Sequence, residues 1–308
     1  MKYCNLGDIS ASRVVMGCMR IGDKPLEDTE KVIVSAFANG VNMFDLADVY
    51  GNGSCEKVFG VAMRDLEVAR KNYILQTKCG IRKSADGSMH RFDFSKDYIL
   101  SSVEGSLKRL NTEYIDILLL HRPDTLADTD EIGEAFDRLQ EDGKVRAFGV
   151  SNFSAMQMKL FRSSGIEIVA NQMQFSLGHT LPVDAGFNVN MTNETSVTRA
   201  GDAMEYCRLR KIALQAWSPL QYGFFEGVFV GNEKFPKLNA ELDILAEKYN
   251  ATPSAIALAW ILRHPAFKQV VTGTTRADRM HELCKAADIL LTHEEWYKLY
   301  LATGKTLP

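Results

Sequence analysis

Asn42-Met-Phe-Asp-Leu-Ala-Asp-Val-Tyr-Gly-Asn-Gly53 is the stretch whose reading decides the fold. Val41 to Leu46 is a short apolar run interrupted by one acid, Asp45, and reads as a buried strand. Asp45 then lies near the strand's carboxyl end, and Tyr50 lies on the loop beyond it. In parallel α/β folds that edge is where ligands and chemistry collect. Taken alone, Asp45 reads as a helix cap or a solvated loop acid. The ends of later strands decide between that and a site.

Outward from this stretch, strands and helices alternate. Lys2 to Leu6 and Ile9 to Arg13 flank Gly7-Asp8 as a hairpin. Val14 to Cys18 is a strand, and Asp28 to Asn39 a helix ended by Gly40. After Val41 to Leu46 come a helix near Cys55 to Ala69, a strand Tyr73 to Lys78, and a helix Ser95 to Leu110 with Ser95 as N-cap. Ile115 to His121 is a strand, Asp130 to Glu141 a helix, and Ala147 to Asn152 a strand. A helix capped by Ser154 runs to Ser163. Ile168 to Phe175 is a strand, Val197 to Arg210 a helix, and Ala213 to Ser218 a strand. Thr252 and Pro253 open a helix to His264. Val270 to Thr272 is the eighth barrel strand, with a helix from about Thr275 to Ala287. Thr292-His-Glu-Glu295 is a capping box for a last helix.

This order predicts one domain over 1–308, a (β/α)8 TIM barrel with an N-terminal β-hairpin plugging its bottom and C-terminal added helices. Gly80 to Phe94, Ser176 to Ser196 and Leu220 to Lys237 are too long for plain turns. All three follow strands, so they lie on the same rim and read as lids or binding walls.

Composition narrows the function. The chain has 308 residues, 46% hydrophobic and 24% charged, with net charge −3. So balanced a charge gives no basis for nucleic acid or an anionic membrane as partner. The longest apolar runs fall short of the ~18–20 residues of a membrane helix. The opening Met1-Lys-Tyr-Cys-Asn-Leu-Gly has no apolar leader core, and the six cysteines (4, 18, 55, 79, 207, 284) form no C-x-x-C pair. Reduced thiols in a cytoplasmic protein are expected.

Lys78 and His121 each end a buried strand, as Asp45 does, so a barrel brings the three together. Ser151 and Asn152, then Gln172, then Trp217-Ser-Pro219 add amides, hydroxyls and one aromatic to the rim, which suits a flat heteroaromatic ring bearing a carboxamide. Thr272-Gly-Thr-Thr-Arg276 and Arg279 feed a helix N-terminus, a phosphate-binding pattern. Other motifs fail. Gly51-Asn-Gly53-Ser-Cys-Glu56 has a glutamate where a dinucleotide fingerprint needs its third glycine, and Gly304-Lys-Thr306 lacks the upstream glycine of a P-loop. No H-x-x-H or H-E-x-x-H pair is present, so no metal is expected.

The ordered set Asp45, Tyr50, Lys78, His121 and Gly143-Lys-Val-Arg-Ala-Phe-Gly-Val-Ser-Asn-Phe153 resembles the aldo-keto reductase family over essentially the whole chain. Leu118-Leu-Leu-His-Arg-Pro-Asp124 is most similar to its bacterial general-oxidoreductase branch. The resemblance implies a barrel that binds NADP(H) and reduces carbonyls of small molecules. It implies a tetrad of Asp45, Tyr50, Lys78 and His121, with Tyr50 as the general acid. It also implies cofactor contacts from Gly17, Cys18 and Met19, which run under the cofactor, and from Ser151, Asn152 and Gln172, which hold the carboxamide. Trp217 would stack on the nicotinamide, Ser218, Pro219 and Leu220 would follow the pyrophosphate, and Gly273, Thr274, Thr275 and Arg279 would take the 2′-phosphate. The chain departs from the family pattern at Trp217, often tyrosine, at Gly273, often basic, and at Leu283, often asparagine.

Two other readings compete: a non-catalytic NADP(H)-binding regulatory or structural barrel, and an aldolase-type barrel with Lys78 as a Schiff base. A last expectation concerns Arg20, Arg82 and Arg122, which each follow a rim strand. They serve cofactor phosphates, lid carboxylates such as Asp48 and Asp124, or solvent, or at least one of them faces an anionic substrate.

Overall fold

Ile115–Leu120 reads Ile-Asp-Ile-Leu-Leu-Leu, and all six residues are buried. A strand apolar on both faces needs a strand on each side and a layer on each face. The computed structural model, which describes residues 1–83, 90–197 and 201–308, supplies both. The barrel strands are β1 (Val14–Gly17), β2 (Met43–Asp45), β3 (Ile74–Cys79), β4 (Ile115–Leu120), β5 (Val145–Ser151), β6 (Ala170–Gln174), β7 (Ala213–Trp217) and β8 (Phe267–Thr272). Each pairs in parallel with its sequence neighbours, and β8 pairs with β1, so the sheet closes.

Eight helices cover the outside, one after each strand: Leu26–Ala38, Ser54–Asp65, Lys96–Leu110, Thr129–Glu141, Ala155–Ser163, Ala203–Arg210, Pro253–Arg263 and Ala277–Cys284. Thr129–Glu141 illustrates why. Ile132, Ala135, Phe136 and Leu139 fall on one face at helical spacing and are buried, and Phe136 stacks on Phe148 of β5 at 3.8 Å between centroids. Inside the barrel, Leu6, Ile9 and Ala11 of the hairpin Tyr3–Leu6/Ile9–Ser12 pack with Val15, Met43, Ile117 and Leu119, closing the end opposite the strands' carboxyl termini. The hairpin turn needs Gly7, whose φ is +58° and where a Cβ would sit 3.1 Å from Val169.

Pro253–Arg263 is buried continuously from Ala255 to Leu262. Two further helices, Pro236–Tyr249 and His293–Ala302, account for this by packing over that side of the barrel. Trp260 and Trp296 lock the last helix: each indole N–H donates to the other's backbone carbonyl at 3.0 Å.

Several expected boundaries shift. The sequence reading gave no helix to Pro236–Tyr249, and Leu181–Phe187 adds a helix inside what reads as an open loop. The Val197 to Arg210 helix begins only at Ala203; part of the expected span, 198–200, lies outside the described residues. Val197 instead follows a 3-10 turn, Glu194–Ser196. Ser95 stands at the N-cap position, but its hydroxyl oxygen accepts from no backbone N–H of the helix; the hydroxyl donates back to Asp93 at 2.7 Å. Thr252 caps Ala255, and the Thr292/Glu295 capping box forms as expected. Among the described residues no helix is long and apolar enough to cross a membrane.

Candidate active site

Asp45 is the last residue of β2 and Lys78 lies next to last in β3, so parallel pairing sets them side by side at the barrel's carboxyl rim. Lys78 is fully buried. An ammonium there must find charge and acceptors. Its Nζ donates to both oxygens of Asp45 at 2.8 Å, to the Leu46 carbonyl at 2.7 Å and to Tyr50 Oη at 3.2 Å. His121, just past β4, presents its ring edge-on to Tyr50, with centroids 5.7 Å apart at 82°. The four residues expected from three strand ends thus form one cluster.

The protonation states follow from surroundings. Burial alone would lower the Lys78 pKa, but the Asp45 carboxylate and then Tyr50 outweigh it and raise it, so the ammonium is held. That state is the opposite of the free amine a Schiff-base lysine needs. Burial raises the Tyr50 pKa. Lys78 pulls it back in part, so the phenol keeps its proton at neutral pH. Burial, then the charges of Lys78 and Arg122, push His121 well below the usual histidine range, so the imidazole is neutral. Its Nδ1 is buried with no partner among the described residues.

Beneath the cluster lies a layer of four buried glutamines, Gln76, Gln172, Gln215 and Gln269. Gln76 and Gln172 donate to Asp45 Oδ1 at 2.6 and 3.1 Å. Both also donate to Gln215 Oε1, at 3.0 and 3.1 Å, and Gln215 donates on to Gln76 and Gln269. A carboxylate only accepts, so the amide nitrogens of Gln76 and Gln172 must face Asp45. Gln172, which lines the cavity, therefore turns its Oε1 away from the carboxylate.

From Asp45, Tyr50 and His121 a cavity of about 1110 Å³ runs along the rim to Arg279, Glu282 and Leu283. It is lined by Gly17, Met19, Ser151, Asn152, Gln172, Trp217, Ser218, Pro219, Leu220, Gly273, Thr274, Thr275 and Arg279, all expected from the sequence. Cys18 is a correction: it is fully buried in the outer core, and its thiol faces the Met16 carbonyl at 3.6 Å. The strand ends at Gly17 and the chain turns at Met19, and at this bend the Cys18 side chain joins the apolar core instead of the cavity wall. Trp217 Nε1 donates to Asn152 at 3.0 Å, and Asn152 donates to Ser151 at 2.8 Å, which fixes the indole edge. Asn152 and Ser218 adopt left-handed backbone, with φ of 62° and 49°. Strain of this kind gathers at ligand-binding walls.

Sequence reasoning missed specific wall residues: Ile81, Phe92, Phe224 and Phe225 on the long loops, and Ser254 at a helix start. Loop length located those walls without saying which side chains turn inward. Phe225 stacks on Trp217 at 5.9 Å. Of the three arginines, Arg82 pairs with Asp93 at 2.8 Å, whereas Arg20 and Arg122 line the cavity.

A parallel eight-stranded barrel with a buried Asp–Lys–Tyr cluster at its carboxyl rim, opening into a long cavity, defines a barrel oxidoreductase. Residues 13–300 match the aldo/keto reductase family, and the chain belongs to it. It is 33% identical over 309 residues to a 6-dehydroglucose reductase of Agrobacterium fabrum, covering 96% of each chain. It is 35% identical over 311 residues to the uncharacterized oxidoreductase YcsN of Bacillus subtilis, covering 98% of this chain and 97% of that one. Among solved structures it resembles the thermostable aldo-keto reductase Tm1743, crystallised with the inhibitor epalrestat. The TM-score is 0.78 at 25% identity, over 98% of this chain and all of that one.

Proposed function

We propose that this chain is one catalytic barrel domain that uses NADP(H) to reduce aldehydes or ketones of small molecules to alcohols. The observation that carries this is the Lys78 ammonium, charge-paired with Asp45 and within 3.2 Å of the Tyr50 phenol, with the His121 ring against that phenol. Bound nicotinamide would supply the hydride. Tyr50 then donates its proton to the oxygen on which charge develops. Lys78 stabilises the phenolate left behind, and Asp45 keeps Lys78 charged and aimed. His121 lines the cavity and its imidazole is neutral, so it can hydrogen-bond the carbonyl without competing for the proton.

The cavity walls fit the cofactor. The Oε1 of Gln172, freed by its amide's bond to Asp45, can accept from a carboxamide, with Ser151 and Asn152 beside it. Trp217 offers an aromatic face, Ser218 to Leu220 a polar backbone edge, and Thr274, Thr275 and Arg279 the donors for a 2′-phosphate. The six cysteines are free thiols, in keeping with a cytoplasmic setting. The test is a panel of aldehydes, ketones and quinones assayed by loss of NADPH absorbance. Tight NADPH binding with no turnover on the whole panel would instead favour the non-catalytic barrel.

A further inference from the structure

We propose that Arg122 selects the substrate, and that the carbonyl compounds this site favours carry a carboxylate. This rests on reading the cavity as a carbonyl-reducing site. Arg122 directly follows His121 and lines the Tyr50 end of the cavity. Its guanidinium lies over the Trp217 ring, 5.6 Å from the centroid, and 6.0 Å from that of Phe224. A guanidinium resting on aromatic faces keeps its N–H fork free to meet a planar anion edge-on.

Among the described residues nothing takes that fork. Arg122 makes no hydrogen bond or ion pair with any described residue, while its neighbours on the rim do: Arg82 pairs with Asp93, and Arg276 with Asp278. Asp124, two residues on, spends its carboxylate on the backbone N–H groups of Phe94 and Leu126 at 3.0 and 2.9 Å. The other charges at this end cancel or vanish. Lys78 is matched by Asp45, and His121 is neutral. Arg122 is therefore the one uncompensated charge among the described residues lining the Tyr50 end. Val49, Ile81, Phe92 and Phe224 add apolar side chains to the same cavity, and an ion pair beside apolar surface is stronger than one in open water.

Other side chains would hold the anionic parts of the cofactor. Arg20 Nη1 lies 3.7 Å from where a side chain on Gly273 would begin, and Arg279 lines the same end. That leaves Arg122 for the second reactant.

The experiment compares terephthalaldehydic acid with its neutral methyl ester on the NADPH-loaded protein. Wild type should favour the acid in kcat/KM by about ten- to a hundred-fold, the worth of a hydrogen-bonded charge pair. The preference should shrink with added salt. Arg122→Met should collapse the acid-to-ester ratio, and Arg122→Lys should restore part of it. Because both substrates read the same folded sites, a loss of folded protein leaves the ratio untouched. A wild-type preference for the ester, or a ratio unchanged in Arg122→Met, overturns the assignment while leaving carbonyl reduction standing. So does an Arg122→Met variant whose NADPH affinity falls as far as its acid selectivity, since the guanidinium would then belong to the cofactor. If neither aldehyde is reduced, the wider carbonyl panel decides the carbonyl-reducing reading. Fluorescence titration of the NADPH complex with benzoate and benzamide then decides the Arg122 assignment alone. A benzoate preference lost in Arg122→Met supports it, and equal binding of the two overturns it.

Discussion

The side-chain amide of Gln76 donates a 2.6 Å hydrogen bond to Oδ1 of Asp45, the oxygen that also accepts from Lys78. Gln76 is in turn tied to Gln215, Gln215 to Gln269, and Gln269 to the Ser12 carbonyl beneath the barrel at 2.7 Å. The carboxylate that fixes Lys78 is thus itself fixed from below. Gln76→Leu keeps volume but removes a donor from a buried carboxylate. It is expected to cost about 1–3 kcal/mol in urea unfolding and to lower kcat. Gln215→Leu, one residue further from Asp45, should cost comparable stability with a smaller loss of kcat. Equal kcat losses in the two variants would mean that Gln76 does nothing for Asp45 beyond holding the barrel together.

Tyr50→Phe removes the proposed acid and little else. Its kcat should fall by about 10²–10⁴-fold, with NADPH affinity close to wild type, because the phenol's partner in the protein is Lys78. Burial raises the Tyr50 pKa, so wild-type reduction should stay flat through neutral pH and fall only in alkali, as the phenol ionises. Because His121 takes a proton only far below the usual histidine range, it should add no titration near neutrality. A variant with wild-type kcat would remove Tyr50 from the chemistry.

Much of this was legible in the sequence because a parallel barrel converts order along the chain into proximity. Asp45, Lys78 and His121 end successive strands, and any closed barrel gathers them. Fully buried strands such as Ile115–Leu120 announce themselves as strongly apolar runs, here broken only by Asp116. What stayed hidden depended on side-chain direction. Cys18 could be placed on the rim, but not on its outward face. The glutamine layer was invisible because a lone polar residue in an apolar strand carries no sign of its partners, which come from strands far apart in sequence. The helix Pro236–Tyr249 went unread although Pro236 stands at its first position, because its N-cap is Phe235 and no side-chain cap accompanies the proline as Thr252 does Pro253.

Arg279 tests the cofactor preference. It stands in the first turn of Ala277–Cys284, faces the cavity with Thr274 and Thr275, and forms no ion pair among the described residues. Arg279→Ala should weaken NADPH binding by roughly ten- to a hundred-fold and NADH binding far less, since only NADPH carries the 2′-phosphate. Isothermal titration with each cofactor measures both losses. Equal losses would place Arg279 on a group that the two cofactors share.

Asp48 gives a prediction about stability. It lies between Asp45 and Tyr50, and its backbone N–H donates to the Lys78 carbonyl at 3.0 Å. One carboxylate oxygen accepts from Ser102 at 2.7 Å; the other, Oδ1, is buried without a partner among the described residues. Burial therefore lifts its pKa to about 6, against the lesser pull of the Ser102 bond. An unfolded aspartate titrates near ~3.9. The folded state thus holds its proton more tightly. Asp48's contribution is full below the unfolded value and is lost as pH rises towards the folded one. Ionised Asp48 is a liability at neutral pH, bounded by the shift at about 3 kcal/mol. Asp48→Asn keeps an acceptor for Ser102 and cannot ionise. The new amide adds its own fixed cost or gain, but that offset does not vary with pH. The difference in unfolding free energy between variant and wild type should therefore move in the variant's favour, by up to about 3 kcal/mol, between pH ~4 and pH ~8. Urea unfolding of both proteins at the two pH values measures it. A difference that stays constant would show that folding leaves the Asp48 pKa where it is in the unfolded chain.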